Sequence, residues 1–165
     1  MKNNKALYLT QGAAVAALYV ALTYLAAAMG LASGDVQFRL SEALTILPCF
    51  FPAAIPGLAV GCLLANTLTG CVIWDVVFGT VATLLGALGT RALRKNRWLA
   101  CLPPIVSNMV IVPFVLRYAY GVPGTIPFMM LTVGIGEVVC CGILGQLLYT
   151  ALDKQRGRIK FLEDK

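Results

Sequence analysis

The sequence contains no histidine. That removes the usual general base near neutral pH and the commonest metal ligand. Six cysteines are present: Cys49, Cys62, Cys71, Cys101, Cys140 and Cys141. No two stand as CxxC, so neither a zinc site nor a redox pair is indicated. Their mostly apolar neighbours make them small buried side chains. Charge is also scarce, at 12% of residues, where a soluble domain carries about 25%. No GxxxxGK[ST] run exists, so ATP hydrolysis by this chain is not expected. Repeats of fixed period and low-complexity segments are missing too. Nothing calls for a cofactor or a metal, and the chain reads as a non-enzyme.

What is present is apolar sequence, 59% of the 165 residues. It falls into runs of bilayer-spanning length and leaves too little polar sequence for a separate soluble domain. The fold class expected is all-α, a single integral membrane domain with six transmembrane helices. The spans are predicted at about 7–29, 42–53, 55–70, 75–92, 98–117 and 126–151, followed by a polar tail over 153–165. Lys2 and Lys5 before an apolar run imitate a signal peptide. The run continues to Met29, well beyond a signal core of about 7–15 residues, and reads as a first span.

The net charge of +6 does not indicate nucleic-acid binding, because the basic residues sit in short clusters between the apolar runs. Lys2 and Lys5 precede span one. Arg91, Arg94, Lys95 and Arg97 lie between spans four and five, and Lys154, Arg156, Arg158, Lys160 and Lys165 follow span six. The positive-inside rule places all of these, and both termini, in the cytoplasm. Arg39 and Arg117 fall on the other side. This pattern also decides the doubtful second span, which is short and carries Pro48, Pro52 and Pro56 at its far end. A single crossing over 42–70 would turn the 91–97 loop outward; two crossings keep it inside. A segment of about 12 residues is too short to span alone, so it is expected to be tilted, broken or shielded by neighbours.

Candidate functional residues are the polar ones that this topology places in or beneath the outer half. The acids are Asp35, Glu42, Asp75 and Glu137, accompanied by Gln37, Arg39, Asn66, Asn108 and Tyr118. Glu137 is the most informative, since Thr132 is the one other polar side chain in 131–144. A charge at the bilayer centre costs about 2.5–3.5 kcal/mol on insertion scales, so it faces a cavity or a partner. Glu137 reads as a ligand contact, or as a structural group paired with Asn108 or kept protonated between helices. Asn66 and Asn108 read equally as ligand contacts or interhelical glue. Asp75, after Trp74, is either a helix N-cap or a ligand carboxylate. The segment 36–43 alternates apolar and polar residues and then enters a helix. Arg39 and Glu42 share a face there, as an internal ion pair or as part of a lid over the outer mouth. Phe38, Trp74 and Tyr118 are candidates to stack on a planar ring. Ala13, Ala17 and Ala21 form a small-residue row on span one, with Gly12 and Ala16 beside it; Gly57 and Gly61 on span three suit packing within the bundle.

The run Val36-Gln37-Phe38-Arg39-Leu40-Ser41-Glu42-Ala43-Leu44-Thr45-Ile46-Leu47-Pro48 resembles the signature of QueT-type proteins. Trp74–Thr80, Ala82–Leu85 and the Gly136-Glu137 pair add to the resemblance, which covers roughly residues 5–152. It implies a six-helix substrate-binding (S) component of an energy-coupling-factor transporter in the plasma membrane. Such a subunit takes its substrate from outside and associates with a transmembrane coupling subunit and two cytoplasmic ATPases. The implied substrate is queuine or a 7-deazaguanine precursor of it. Ala13, Ala17 and Ala21 are similar to the alanine motif by which S components dock on the coupling subunit. The residues suit such a ligand: a guanine-like edge offers adjacent N–H and NH₂ donors to a carboxylate, with Glu137 expected to read it. A cationic arm would suit a second acid. The competing reading is a stand-alone proton-coupled permease for a small cationic or heterocyclic solute, with Glu137 as its proton site. An inverted repeat would favour it, and none is detected.

Overall fold

Among the described residues, four helical stretches are apolar and long enough to cross a bilayer: 5–28, 73–92, 97–118 and 126–155; Leu40–Cys49 and Ala54–Leu68 are shorter apolar helices. The chain is a multi-pass membrane protein built as a bundle of about six helices. The structure, a computed structural model, describes residues 2–31 and 36–155, with side chains from Lys5 onward. Asp35 and the basic tail beyond Gln155 lie outside the described residues.

Helix α1 (Lys2–Ala28) starts earlier than predicted; α2 (Ala54–Leu68) and α3 (Ile73–Ala92) follow expectation closely. The predicted fifth span is divided into α4 (Arg97–Ala100) and α5 (Leu102–Tyr118). Pro103 and Pro104 follow the break, and proline suits a helix start because it lacks the N–H that would go unpaired there. The predicted sixth span is a continuous path, α6 (Ile126–Glu137), a π-helical stretch (Val138–Leu144) and α7 (Gly145–Gln155).

The short second span departs most from an ordinary helix. Leu40–Cys49 is a ten-residue 3₁₀ helix, against a predicted range of 42–53. At one end Arg39 pairs with Asp75 at the start of α3, and at the other the Arg91 guanidinium donates to the Pro48 carbonyl at 3.0 Å. The segment therefore runs beside α3 from Asp75 to Arg91, which on an α-helix is a rise of about 24 Å. Ten residues in an α-helix would rise about 15 Å, but in a 3₁₀ helix they rise about 20 Å. Ser41, Glu42 and the run Leu44–Pro48 are all buried, against α1, α3, α7 and the π stretch. Such strained backbone is tolerated at membrane depth when protein, not lipid, surrounds it.

The same contacts fix the two ends of the bundle. Tyr24 donates to the Leu68 carbonyl, so the end of α1 meets the end of α2 on the Asp75 side. The start of α1 lies by the start of α2, and Gln146 Nε2 reaches the Arg97 carbonyl at 2.6 Å on the Arg91 side. Six passes thus put the start of α1, the 91–97 loop and α7 at one basic end. Small residues bring α1 against α2: a Cβ at Gly57 would lie 2.7 Å from the Gly12 carbonyl, and one at Gly61 2.7 Å from Tyr19 Cβ. Around this contact lies the core of Val15, Tyr19, Phe50, Leu58, Cys62 and Ala65.

Candidate functional site

The 3₁₀ helix carries Glu42 into the middle of the bundle, where it is fully buried. Tyr19 Oη on α1 donates to Glu42 Oε1 at 2.5 Å, and Asn108 Nδ2 on α5 donates to Oε2 at 3.5 Å. Glu137, on the last turn of α6, joins them. The Cys141 thiol donates to Glu137 Oε2 at 3.2 Å, and a carboxylate oxygen of Glu42, one of Glu137 and the Cys141 sulfur all lie within 4.8 Å of one another. Cys141 also faces the Glu42 carbonyl, to which Thr45 Oγ1 donates at 2.6 Å. Two carboxylates from elements 95 positions apart in the sequence thus share one buried nest. The π-helical stretch begins immediately after Glu137, and widened turns of this kind frequently mark functional positions.

A second cluster sits at the non-basic end. Arg39 lies 3.7 Å from Asp75 Oδ1, and Tyr120 Oη donates to Asp75 Oδ2 at 2.9 Å. The Tyr120 hydroxyl also accepts from the Val72 N–H, and Asn66 Nδ2 donates to the Asp75 carbonyl at 3.3 Å. Partial burial, with Cys71 and Asp75 alongside, holds the Tyr120 phenol well above its usual pKa. It therefore stays a donor at neutral pH and ties the loop after α5 to α3. Asp75 is not a helix cap: Val72 holds that position, and the Asp75 side chain faces Arg39 and Tyr120. Arg39 takes Asp75, not Glu42, as its close ion-pair partner.

Between the two clusters lies a cavity of about 170 Å³, lined by Tyr19, Thr23, Phe38, Arg39, Ser41 and Asn66 among others. Tyr19 belongs to both, as a wall of the cavity and as a donor to Glu42. Gln37 approaches α6 through its backbone, because a side chain at Gly136 would overlap the Gln37 carbonyl.

Of the residues singled out from the sequence, the structure brings together Glu42, Glu137 and Asn108 in one nest. Arg39, Asp75 and Asn66 form another, with Phe38 at the cavity. It separates Trp74 and Tyr118 from both. These are 58% and 77% exposed and line an apolar groove of about 450 Å³ with Phe78 and Phe114. Trp74 stacks near Phe78 and Phe114 near Tyr118, with centroids 6.0 and 6.4 Å apart. Spacing of four residues puts each pair on one exposed face of its helix. Tyr19, Tyr120, Thr45 and Cys141 were not picked out as site residues. Cys141 stands four residues after Glu137 and so shares its helix face, a signal that was legible. Tyr19 has no comparable local cue.

The small residues of α1 divide into two rows. Gly12 and Ala16 face α2 at Ala53, Gly57 and Gly61. Ala13, Ala17 and Ala21 are exposed on the outside of the bundle.

A family model described as QueT transporter matches residues 9–154. A curated protein named "Queuosine precursor transporter QueT", from Lactococcus lactis subsp. cremoris (strain MG1363), is 35% identical over 85 residues. That stretch is 52% of this chain and 50% of the relative, so the match spans half of the relative's length. No solved structure matches.

Proposed function

Because this chain belongs to the QueT transporter family, we propose that it is the substrate-binding membrane subunit of an energy-coupling-factor importer, capturing queuine or a 7-deazaguanine precursor from outside. The observation that carries the reading is the buried nest of Glu42, Glu137 and Asn108 beside a cavity at the end opposite the basic loops. Two carboxylates side by side in a membrane bundle suit a ligand rich in N–H donors or bearing positive charge. The curated relative's name, a queuosine precursor transporter, supports such a heterocycle. Phe38 offers a ring face at the cavity. Asp75, already shared by Arg39 and Tyr120, is suited to receive a cationic arm once either partner moves. The exposed Ala13, Ala17 and Ala21 row supports docking on a coupling subunit that is itself served by two ATPases.

The proposal is tested with the purified full chain. Thermal unfolding is compared with queuine, its aminomethyl and cyano precursors, guanine and common vitamins. A ligand at 100 times its Kd is expected to stabilise the fold by about 2.7 kcal/mol. Stabilisation by none of the deazapurines would overturn the substrate reading. Co-purification of ATPase subunits is expected from cells, and its absence during sustained uptake would favour a stand-alone carrier.

The charge pattern gives the orientation proposed here, with both ends of the chain in the cytoplasm. Single cysteines at positions 94 and 154, in a cysteine-free background, are expected to resist an impermeant thiol reagent on intact cells. A cysteine at position 120 is expected to react. Labelling at position 94 would reverse the assignment.

A further inference from the structure

In the buried nest, Asn108 carries a polar atom that has no hydrogen-bond partner among the described residues. Asn108 is fully buried, its Nδ2 is committed to Glu42 Oε2, and its Oδ1 has no hydrogen-bond partner. With Nδ2 placed at Glu42 Oε2, the amide presents Oδ1 as its remaining acceptor. A buried acceptor left unpaired costs free energy in the empty protein and is satisfied when a donor arrives. The neighbours fall in a definite order. The Tyr19 hydroxyl stands at Oε1 of Glu42, and the Asn108 amide stands at Oε2. Read along this line, the protein offers a donor, two carboxylate acceptors and an amide acceptor.

We infer that Tyr19, Glu42 and Asn108 form an edge reader that requires a ring carbonyl, a ring N–H and an exocyclic amino group in sequence, and that Asn108 Oδ1 is the atom that selects for the amino group. The inference rests on the substrate class proposed above and specifies which part of that substrate is read. Tyr19 lines the cavity and donates to Glu42, so a ring entering there lies beside the residue that leads to the nest. The ring N–H and one amino hydrogen take the two oxygens of Glu42. The hydroxyl thereby released from Oε1 turns to the ring carbonyl, and the second amino hydrogen is accepted by Asn108 Oδ1. Rings that lack the amino group leave Asn108 Oδ1 without a donor and Glu42 Oε2 with the Asn108 amide alone. A site built to pair polar groups rejects such analogues strongly.

The test is equilibrium binding to the full chain in detergent, comparing 7-deazaguanine with 7-deazahypoxanthine, which differs by the amino group alone. The wild-type protein is expected to prefer 7-deazaguanine on the order of 100-fold. Asn108→Leu and, as a smaller replacement, Asn108→Ser are expected to reduce that preference to less than about 10-fold, with the larger loss on the 7-deazaguanine side. Equal wild-type binding of the two rings overturns the inference and leaves the proposed substrate class standing. So does an undiminished preference in a folded Asn108 variant. Binding of neither ring, nor of queuine, removes the substrate class and the inference with it. Because the wild-type comparison needs no substitution, the inference is falsifiable even if both variants fail to fold.

Discussion

Glu137→Gln is expected to weaken ligand binding by about 2–4 kcal/mol, the range for breaking a buried hydrogen bond to a charged group. At roughly 1.4 kcal/mol per tenfold change in Kd, that is about 30- to 1,000-fold. Glu137 is more informative than Glu42 as the site of substitution. Glu42 holds both Tyr19 and Asn108, so changing it disturbs contacts among three elements. Glu137 receives the Cys141 thiol at one oxygen, and a glutamine carbonyl can still accept that bond. The substitution keeps the size of the side chain but places an NH₂ donor beside Glu42, in a nest where a donor-rich ligand needs acceptors. Titration calorimetry on the purified variant measures the loss, and the thermal midpoint without ligand checks that the fold has survived. A folded variant that binds as tightly as the wild type would leave Glu137 as a group that bridges helices.

Ala17→Trp is expected to abolish uptake in cells and to prevent co-purification of a coupling subunit, while substrate binding by the isolated chain remains within about twofold. The expectation rests on the division of the two small-residue rows. Ala17 is exposed, with Ala13 and Ala21 beside it on the same outer face. A large ring on this exposed face would hold a docking helix away. The inner row forecasts the opposite behaviour. Gly61→Val would drive a side chain into Tyr19 and Ala16, where a Cβ already falls 2.7 Å and 3.0 Å from their atoms. Overpacking there is expected to cost about 1–3 kcal/mol of stability. It would also displace Tyr19 from Glu42, so binding and stability should fall together. If Ala17→Trp behaved like Gly61→Val, the outer row would be a packing surface of this bundle and the docking proposal would be lost.

The membrane class and the number of passes were legible because they depend on local quantities. Hydropathy over a window and the placement of Arg91, Arg94, Lys95 and Arg97 need no knowledge of what packs on what. The parity of those charges even required residues 42–53 to cross, although the segment is too short for an ordinary helix. Its solution as a 3₁₀ helix was not legible. A 3₁₀ helix is disfavoured by its own backbone and is held by the helices that bury it, together with the Pro48–Arg91 and Arg39–Asp75 contacts at its ends.

The candidate site divides along the same line. The sequence by itself marked Glu42, Glu137, Asn108, Arg39 and Asp75, since each is a polar group in apolar surroundings and must be compensated. What compensates each was decided by the tertiary structure alone. Arg39 turned to Asp75, not to Glu42 three residues away; Asn108 turned to Glu42; Tyr19, with no local signal, became a donor to the same carboxylate. Trp74 and Tyr118 came to line an exposed apolar groove with Phe78 and Phe114. The physical reason is that the cost of placing a polar or aromatic side chain in a membrane is fixed by its chemistry and can be read one residue at a time. The partner that offsets this cost comes from a helix distant in sequence, and only the packing of α1, the 3₁₀ helix, α5 and α6 determines which one arrives.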